Sequence, residues 1–408
     1  MLMATSFPHG EIPRGVTRGP GSEAAGFLPS ARMASGDRSE ASALRRLARS
    51  LLAGLFGVAL CWLALLVLTA LAADLAELYR HLLPPRDERI ALPNYPDKGR
   101  ARQIFWGGKL TTEEYAPFVG WTRLPQQGPG VNIGADGFRV HKQGRDSGAD
   151  APSVGIFGGS AVWGTGVDDD STIPAFFDQQ SQGYRVFSYA QGGHNARQNL
   201  ALLVNLIAEQ RMPELVLFYN GHNHIIHCYG DSLNSHGAYE RMRTTLAERP
   251  RFGSLYHDLI APPVRRIQEL LRKRKKGGVG GRCDDDPELA DRVAQTLVRI
   301  WEMANLLVTA NGGRFYAFVQ PTAFTGSPRL DHLTLRRGDR REQNAAVYAR
   351  LRAHSRGMHF VSDLSHAFDG DEYIYIDSAH VSGNGNEIIA RHMIERLRAD
   401  GIRLSVGR

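Results

Sequence analysis

Ser160 stands where a nucleophile would be useful, in the run Gly158-Gly159-Ser160 directly after the apolar residues 154–157. Glycines before a serine allow the chain to turn sharply out of a strand, and N–H groups at the start of a following helix favour developing negative charge. A glycine-rich turn between a strand and a helix can also carry no chemistry. The choice between these interpretations depends on which other residues accompany the serine.

Asp377 and His380 supply the partners that such a serine needs, three residues apart near the C-terminus. Acyl transfer requires a nucleophile, a base, a group that holds the base in one tautomer, and donors for the oxyanion. His380 would take the proton of Ser160 and later give it to the leaving alcohol, while Asp377 would orient His380 and stabilise its charged form. The sequence therefore contains a candidate Ser-His-Asp triad.

Three donors are candidates for the oxyanion hole, and they follow the first three predicted strands. They are the backbone N–H groups of Ser160 and Gly193 and the side-chain amide of Asn223. Ligands of an open parallel sheet bind outside the carboxyl ends of its strands, which is where these residues fall. Four further residues are candidates for lining a substrate cleft: Trp163, His222, His224 and Gln320. Burial in a helical turn explains Trp163 at least as well, and a strand stop before proline explains Gln320 equally well.

Apolar runs alternate with amphipathic stretches around these residues. Strands are predicted at residues 154–157, 185–189, 215–219, 315–319 and 359–361, and helices at 172–180, 196–209, 287–310 and 341–355. This alternation predicts a parallel sheet with flanking helices, and the apolar stripe of residues 287–310 predicts core packing. Two pairs are predicted to cap the starts of helices: Asn195 with Gln198, and Asn384 with Glu387.

The four blocks together resemble the SGNH, or GDSL-like, hydrolase family, whose letters stand for serine, glycine, asparagine and histidine. They match in order, between residues 153 and 400, as Gly158-Gly159-Ser160, Gly193, Gly221-x-Asn223 and Asp377-x-x-His380. The resemblance implies a flavodoxin-like three-layer α/β/α sandwich with a five-stranded parallel sheet. It also implies hydrolysis or transfer of an ester through an acyl-serine intermediate, with no metal or other cofactor.

The sequence departs from the family pattern at two positions. The family often has aspartate where Gly159 and His224 stand. We expect glycine at 159 to make the turn looser and His224 to change the charge near the oxyanion donor. His222, His224 and His227 also cluster within a short span, but no nearby cysteine or carboxylate pattern completes a zinc signature. The sequence favours histidines that line a cleft over a metal site.

The N-terminal part of the chain predicts a membrane anchor. Residues 1–50 are rich in arginine, glycine, proline and serine and are predicted to be disordered, with a short helical end at 41–50. Residues 51–73 carry no charge and are long enough, at about 1.5 Å per residue, to cross a hydrocarbon core of about 30 Å. A cleaved signal peptide is the alternative, because Ala70-Leu71-Ala72 resembles a processing site.

The arginines around this segment predict its orientation. Five of them, from Arg32 to Arg49, precede the apolar run, and three follow it soon after, at Arg80, Arg86 and Arg89. This bias favours a cytoplasmic N-terminus and an extracytoplasmic remainder, which is periplasmic if the source is bacterial. Cys228 and Cys283 could form a disulfide in such a compartment.

Two further regions complete the domain plan. Residues 74–150 are predicted to be a linker with a β-hairpin, at 131–133 and 138–140, that either covers an edge of the main domain or lines a substrate groove. Residues 151–408 form the predicted hydrolase-like domain, and residues 228–286 are an insertion with a basic run at 272–276. The insertion with this run is interpreted as a solvent-exposed segment, and binding of the basic run to anionic lipid head groups is the alternative.

These observations predict a membrane-anchored serine esterase or O-acyltransferase. Its expected substrate is an ester-bearing small molecule or glycan, with acetyl as the favoured group, and envelope polysaccharide machinery is a candidate partner. The net charge of +7 comes largely from the arginine-rich N-terminus and the basic run, so we expect no nucleic-acid partner. A lipase-like or phospholipase-like esterase is one alternative, and a noncatalytic glycan-binding or assembly subunit with the same fold is the other.

Overall fold

We analysed a computed structural model of the chain, which describes residues 36–82, 87–141, 151–181, 183–229, 281–335 and 341–403. The predicted disorder of residues 1–35 and the basic run at 272–276 lie outside the described residues. The chain divides into two units, residues 1–65 and 66–408. All the elements that carry the candidate site belong to the second unit.

Helix α1 (Gly36–Leu82) contains the apolar segment that the sequence indicates. Within it, Ser42–Thr69 is long and apolar enough to cross a membrane. Large apolar side chains of this segment are exposed, including those of Leu55, Phe56 and Trp62. The helix begins before residue 41, where a helical end was predicted, and the apolar segment begins earlier than the predicted residue 51.

The main sheet has five parallel strands. They are β3 (Ser153–Gly158), β4 (Arg185–Ala190), β5 (Leu215–Asn220), β6 (Arg314–Val319) and β7 (Val361–Asp363). Their spatial order is β4-β3-β5-β6-β7. The central strands β3 and β5 are buried along their whole length, which is why they appear in the sequence as continuous apolar runs. Strand β7 begins two residues later than predicted.

Helices cover both faces of this sheet. Alternate residues of the central strands face opposite sides, so Ile156 and Leu217 pack in one core cluster, and Phe157 and Phe218 in the other. The first cluster includes residues of α4 (Ile173–Gln180) and α8 (Gly383–Ala399), and the second includes residues of α5 (Ala196–Ala208), α6 (Pro287–Ala310) and α7 (Arg341–Ser355). This arrangement confirms the predicted three-layer α/β/α sandwich with a five-stranded parallel sheet.

The region before the sheet differs from its prediction. It contains a 3₁₀ helix (Glu88–Ala91), helix α2 (Lys98–Leu110) and an antiparallel pair of strands, β1 (Glu113–Ala116) and β2 (Gly120–Arg123), that the sequence pattern did not indicate. The hairpin predicted at 131–140 is reduced to a single bridge between Ile133 and Arg139. Backbone bonds flank this bridge, from Gly134 N–H to the carbonyl of Phe138 at 2.8 Å and from Val140 N–H to the carbonyl of Asn132 at 3.1 Å, while both backbone groups of Ile133 bond to Gln126 on the other side.

The start of α8 also departs from the prediction. The helix begins at Gly383 after Ser382, whose side chain makes no capping bond. Asn384 therefore lies inside the first turn, and its amide donates to Glu372 at 3.3 Å. The predicted capping pair of Asn384 with Glu387 is wrong, because the helix starts two residues too early for Asn384 to be its cap.

The described ends of the predicted insertion are joined covalently. Cys228, in the 3₁₀ helix His222–Tyr229, forms a disulfide with Cys283. Both cysteines are buried, and the N–H of Arg282 donates to the carbonyl of Cys228 at 3.0 Å. The disulfide therefore holds residues 229 and 281 close together, whatever path the intervening chain takes.

Candidate active site

Ser160 lies on a sharp turn directly after β3. It is the first residue of the single-turn helix α3 (Ser160–Trp163), whose N–H groups at Trp163 and Gly164 donate to the carbonyls of Gly159 and Ser160. Gly164 ends this turn in the left-handed conformation, with φ of 87°, which glycine adopts without strain. The hydroxyl is thus presented at the carboxyl end of a central strand, beside the positive end of a helical turn.

Ser160, His380 and Asp377 form one continuous hydrogen-bonded chain. His380 Nε2 lies 2.7 Å from Ser160 Oγ, although the two residues are 220 positions apart. His380 Nδ1 lies 2.9 and 2.8 Å from the two carboxylate oxygens of Asp377. Because a carboxylate only accepts, Nδ1 carries the proton, which leaves Nε2 as the acceptor for the serine O–H. This tautomer is the one that a general base beside a serine needs.

The carboxylate of Asp377 is held in its charged form. It accepts the backbone N–H groups of Ala379 at 3.0 Å and His380 at 2.9 Å, and Arg89 Nη1 donates to it at 2.8 Å. Burial alone would raise the pKa of Asp377, but the charge and hydrogen bond of His380 and these backbone donors lower it below its ordinary value. Asp377 can therefore stabilise positive charge on His380.

One proposed oxyanion donor, the side-chain amide of Asn223, contacts the turn that carries another, Gly193. Gly193 follows β4 with φ of 81°, and the side-chain amide of Asn223 donates to the carbonyl of His194 at 2.7 Å. That bond uses one of the two amide hydrogens. The predicted capping box of Asn195 and Gln198 is present at the start of α5, immediately after this turn.

Gly159 is tightly enclosed, which corrects the expectation of a looser turn. A Cβ added at this position would lie 2.2 Å from Asn223 Nδ2 and 2.7 Å from the carbonyl oxygen of His194. Contacts this short are not tolerated between non-bonded atoms. Glycine at 159 is therefore the residue that lets the amide of Asn223 approach the nucleophile turn.

A buried polar network holds the end of β3, directly before the turn that carries Ser160. Asn199 Nδ2 donates to the carbonyl of Gly158 at 3.2 Å, and Asn220 Nδ2 donates to Asn199 Oδ1 at 2.8 Å. Trp301 Nε1 donates to Asn220 Oδ1 at 3.3 Å. The network joins the ends of β3 and β5 to α5 and α6, and it was not identified from the sequence, because buried asparagines have no distinctive spacing.

The four candidate cleft residues have different environments. His222 is half-buried at the start of its 3₁₀ helix, whereas His224 is buried and its ring packs on that of His227. Trp163 and Gln320 are also buried. Gln320 Nε2 donates to the carbonyl of Ala379 at 3.3 Å, so it supports the loop that carries the triad histidine. Among the described residues there is no cluster of three or more side chains suited to a metal ion.

Two buried arginines from the region before the sheet hold Trp163 between them. The guanidinium carbons of Arg123 and Arg139 lie 4.6 and 4.9 Å from the centroid of the Trp163 ring. Arg123 also donates to the side chain of Gln191 at 2.7 Å, at the start of the Gly193 turn. This region therefore supports the turns on which the candidate site is built.

Arg139 organises the chain that follows α3. It donates to four backbone carbonyls, of Gly130, Trp163, Gly164 and Val167, and pairs with Asp169 at 2.7 Å. Burial lowers the pKa of Arg139, and the neighbouring carboxylate of Asp169 opposes that effect. Sequence reasoning did not assign Arg89, Arg123 or Arg139 to the site, because arginines in a loop-rich region usually point to solvent.

Comparisons with known proteins give matches in structure only. No protein-family model matches the sequence, and no curated protein matches it. Similar solved structures include a carbohydrate acetylesterase family member from Sinorhizobium meliloti, with 11% identity and a TM-score of 0.32 over 61% of this chain and 98% of that one. They also include a lipase from a goat rumen metagenome (12%, TM-score 0.35, 62% and 98%) and a GDSL-like lipase from Bacteroides thetaiotaomicron (14%, TM-score 0.34, 61% and 88%).

Proposed function

We propose that this chain is a serine ester hydrolase or O-acyltransferase. The observation that carries the proposal is the unbroken hydrogen-bonded chain from Ser160 through His380 to Asp377. Ser160 is the nucleophile, His380 the general base and acid, and Asp377 the group that orients the imidazole. The four sequence blocks that resemble the SGNH hydrolases contain these three residues and the proposed oxyanion donors.

The reaction proceeds through an acyl-serine. Ser160 Oγ attacks the ester carbonyl as its proton passes to His380 Nε2, and the backbone N–H groups of Ser160 and Gly193 with the Asn223 amide stabilise the oxyanion. The intermediate expels the alcohol, which takes the proton from His380. Water then attacks the acyl-serine in hydrolysis, or a second alcohol does so in transfer, and His380 again moves the proton. No step uses a metal or other cofactor.

Helix α1 and the disulfide both support the location that we propose for the enzyme. We propose that α1 anchors the chain by a single crossing and that residues after it lie outside the cytoplasm. The excess of arginine before the apolar segment supports this orientation. The bond between Cys228 and Cys283 supports it independently, because such bonds persist in oxidising compartments.

The natural substrate that we propose is an O-acyl group, most readily acetyl, on a glycan of the envelope or of secreted material. An anchored enzyme of this kind would work beside envelope polysaccharide machinery. The partial exposure of the triad supports the proposal of a bulky substrate: the side chains of His380 and Asp377 keep 20% and 30% of their surface exposed. An open rim admits a polymer that a closed pocket would exclude.

Ester turnover by the full chain in detergent tests the chemistry. We expect hydrolysis of a short chromogenic acetyl ester, and a loss of at least about a thousandfold in kcat/KM for Ser160→Ala. Ser171→Ala is the matched control, since Ser171 lies in the 3₁₀ helix Asp169–Ser171 rather than in the triad. Equal turnover by the unsubstituted chain and Ser160→Ala would exclude Ser160 as the nucleophile.

A lipase-like esterase is the second candidate, favoured by an apolar groove beside α5. The groove has a volume of about 740 Å³, and its lining includes Leu200, Val204 and Met303, with Arg197 near the start of the helix. The lining contains neither a triad residue nor a proposed oxyanion donor, so the groove would serve a lipase as a surface for the distal part of a long acyl chain. Activity that rises along a series from acetyl to dodecanoyl esters would favour the lipase, whereas preference for acetyl would favour the deacetylase or acetyltransferase.

A further inference from the structure

Arg89 joins Asp377, the aspartate of the proposed triad, to the segment that follows helix α1 in sequence. Its Nη1 donates to Asp377 Oδ2 at 2.8 Å. Its Nε and Nη2 donate to the two carboxylate oxygens of Asp87 at 2.9 and 2.8 Å. The arginine therefore uses one side of its guanidinium for Asp87 and a third N–H for Asp377.

The position of the guanidinium is fixed by local structure. The carboxylate of Asp87 also accepts the backbone N–H of Arg89 at 3.0 Å, which caps the 3₁₀ helix Glu88–Ala91. The guanidinium carbon lies 4.7 Å from the centroid of the Phe105 ring on α2. Arginine held by a bidentate carboxylate and an aromatic face has little freedom left, so its third donor has one direction.

The same segment also touches the other side of the triad. The Tyr95 hydroxyl donates to the carbonyl of Gly166 at 2.7 Å, shortly after the nucleophile turn. Tyr95 and Phe105 pack in a small buried cluster with Ile376, the neighbour of Asp377. Residues 87–105 thus contact both chain regions that must meet for Ser160 to reach His380.

We propose that Arg89 is a positioning residue, which fixes the carboxylate of Asp377 toward His380 and limits how strongly that carboxylate stabilises the imidazolium. The inference rests on the proposed esterase or acyltransferase function. Removing the cation would leave Asp377 a stronger partner for a protonated His380. The imidazole would then keep its proton to higher pH, and the acid limb of the rate profile would move upward.

Four titratable groups of the described residues interact electrostatically with Asp377. They are Arg89, Asp87, His380 and the hydroxyl of Tyr95. Burial alone would lower the pKa of Arg89, but Asp87 and Asp377 raise it above its ordinary value, so the side chain stays charged. Loss of the Asp87 charge should shift the acid limb in the opposite direction, to lower pH, because Asp377 would then face an uncompensated cation.

The test uses the full chain in detergent with Arg89→Met, Arg89→Lys and Asp87→Asn. Arg292→Met is the matched control, because Arg292 makes only an exposed contact with Glu288 on α6. We expect Arg89→Met to lower kcat by about tenfold and to raise the midpoint of the acid limb of kcat/KM by about half a pH unit or more. Arg89→Lys keeps the charge, so it should lower kcat but keep the midpoint, and Asp87→Asn should lower the midpoint.

A second readout does not depend on turnover. The imidazole of His380 is titrated by NMR in the Ser160→Ala chain with ¹³C-labelled histidine, and its signal is assigned by its loss in His380→Gln. Arg89→Met should raise this midpoint, and Arg89→Lys and Arg292→Met should not. An unchanged midpoint of the His380 titration in both Arg89→Met and Asp87→Asn would overturn the inference. If Arg89→Met does not fold, Asp87→Asn alone provides the test: a downward shift supports the inference and an unchanged midpoint overturns it. Absence of ester turnover in the unsubstituted chain would contradict the proposed function. The NMR midpoints would still test whether Arg89 affects the protonation of His380.

Discussion

The side-chain amide of Asn223 occupies the space that any side chain at position 159 would need. A Cβ on Gly159 would lie 2.2 Å from Asn223 Nδ2, whose other contact is the carbonyl of His194 at 2.7 Å. The residue before the proposed nucleophile and the proposed oxyanion donor are therefore in direct contact. The glycine that departs from the family pattern is a requirement of this particular site.

This contact gives a prediction for Gly159→Ala. The added methyl group should push the Asn223 amide away, and we expect kcat to fall about a hundredfold, close to the loss of one oxyanion donor in Asn223→Ala. Removing the Asn223 amide leaves the His194 carbonyl, at 2.7 Å, in contact with the added methyl group, so the double variant should lose somewhat more than Asn223→Ala but much less than the product of the two single losses. Steady-state kinetics with a chromogenic ester measures all three, and losses that multiply in the double variant would show that Gly159 acts independently of Asn223.

Arg139 supports the nucleophile turn, so its loss should be costly for folding. Arg139→Met removes the cation that pairs with Asp169 and the donor of four backbone carbonyls, and we expect the free energy of unfolding to fall by about 3–5 kcal/mol. Arg100→Met is the control, since Arg100 makes an exposed contact with Asp168 at 3.1 Å and should cost less than about 1 kcal/mol. Urea unfolding followed by tryptophan fluorescence measures both, and similar losses would contradict a supporting role for Arg139.

The sheet, and the proximity of Ser160, Asp377 and His380, could be predicted from the sequence for physical reasons. Buried parallel strands are continuous apolar runs, and the residues after each strand must meet at one edge of the sheet, so Ser160 and Gly193 could be placed together without coordinates. His380 followed from its spacing to Asp377. The order of the blocks then pointed to one site.

The parts that sequence reasoning missed depend on partners far apart in the chain. Arg89 counts as one more positive charge after an apolar helix until its hydrogen bonds to Asp87 and Asp377 are known. The pairing of Ile133 with Gln126, on the other side of the predicted hairpin, was missed for the same reason. Competition between alternative hydrogen-bond partners is decided by tertiary packing, and residue type alone does not reveal it.

We expect the buried side chain of His194 to lower the free energy of unfolding in acid. Burial lowers its pKa to about 3, while its hydrogen bond to the carbonyl of Trp121 opposes that effect. The unfolded chain takes up this proton below about pH 6.5 and the folded chain does not, so unfolding becomes easier as the pH falls from about 6.5 toward 3.

The variant His194→Gln should remove this contribution. We expect its unfolding free energy to fall less steeply with decreasing pH, by up to about 1.4 kcal/mol per pH unit between pH 6 and 4. His366→Gln is the control at an exposed histidine. Urea midpoints at pH 7, 6, 5 and 4 make the comparison, and parallel curves for the unsubstituted chain and His194→Gln would show that His194 is not the cause.

The disulfide predicts a dependence on reducing agent. Cys228 and Cys283 are 55 residues apart, and closing a loop of that length should stabilise the folded state by about 4 kcal/mol. Thermal unfolding of the unsubstituted chain should shift down on reduction and then match the double variant with serine at both positions. Identical curves with and without reductant, together with two free thiols by mass spectrometry, would contradict the pairing.

Covalent labelling of Ser160 tests the proposed catalytic role most directly. The full chain is incubated with a fluorophosphonate, digested, and analysed by mass spectrometry for the peptide that contains Ser160, with Ser160→Ala and His380→Gln in parallel. The proposed triad predicts an adduct on Ser160 that is absent in Ser160→Ala and forms much more slowly in His380→Gln. An unmodified Ser160 in a chain that hydrolyses esters, or an adduct on another residue, would contradict it.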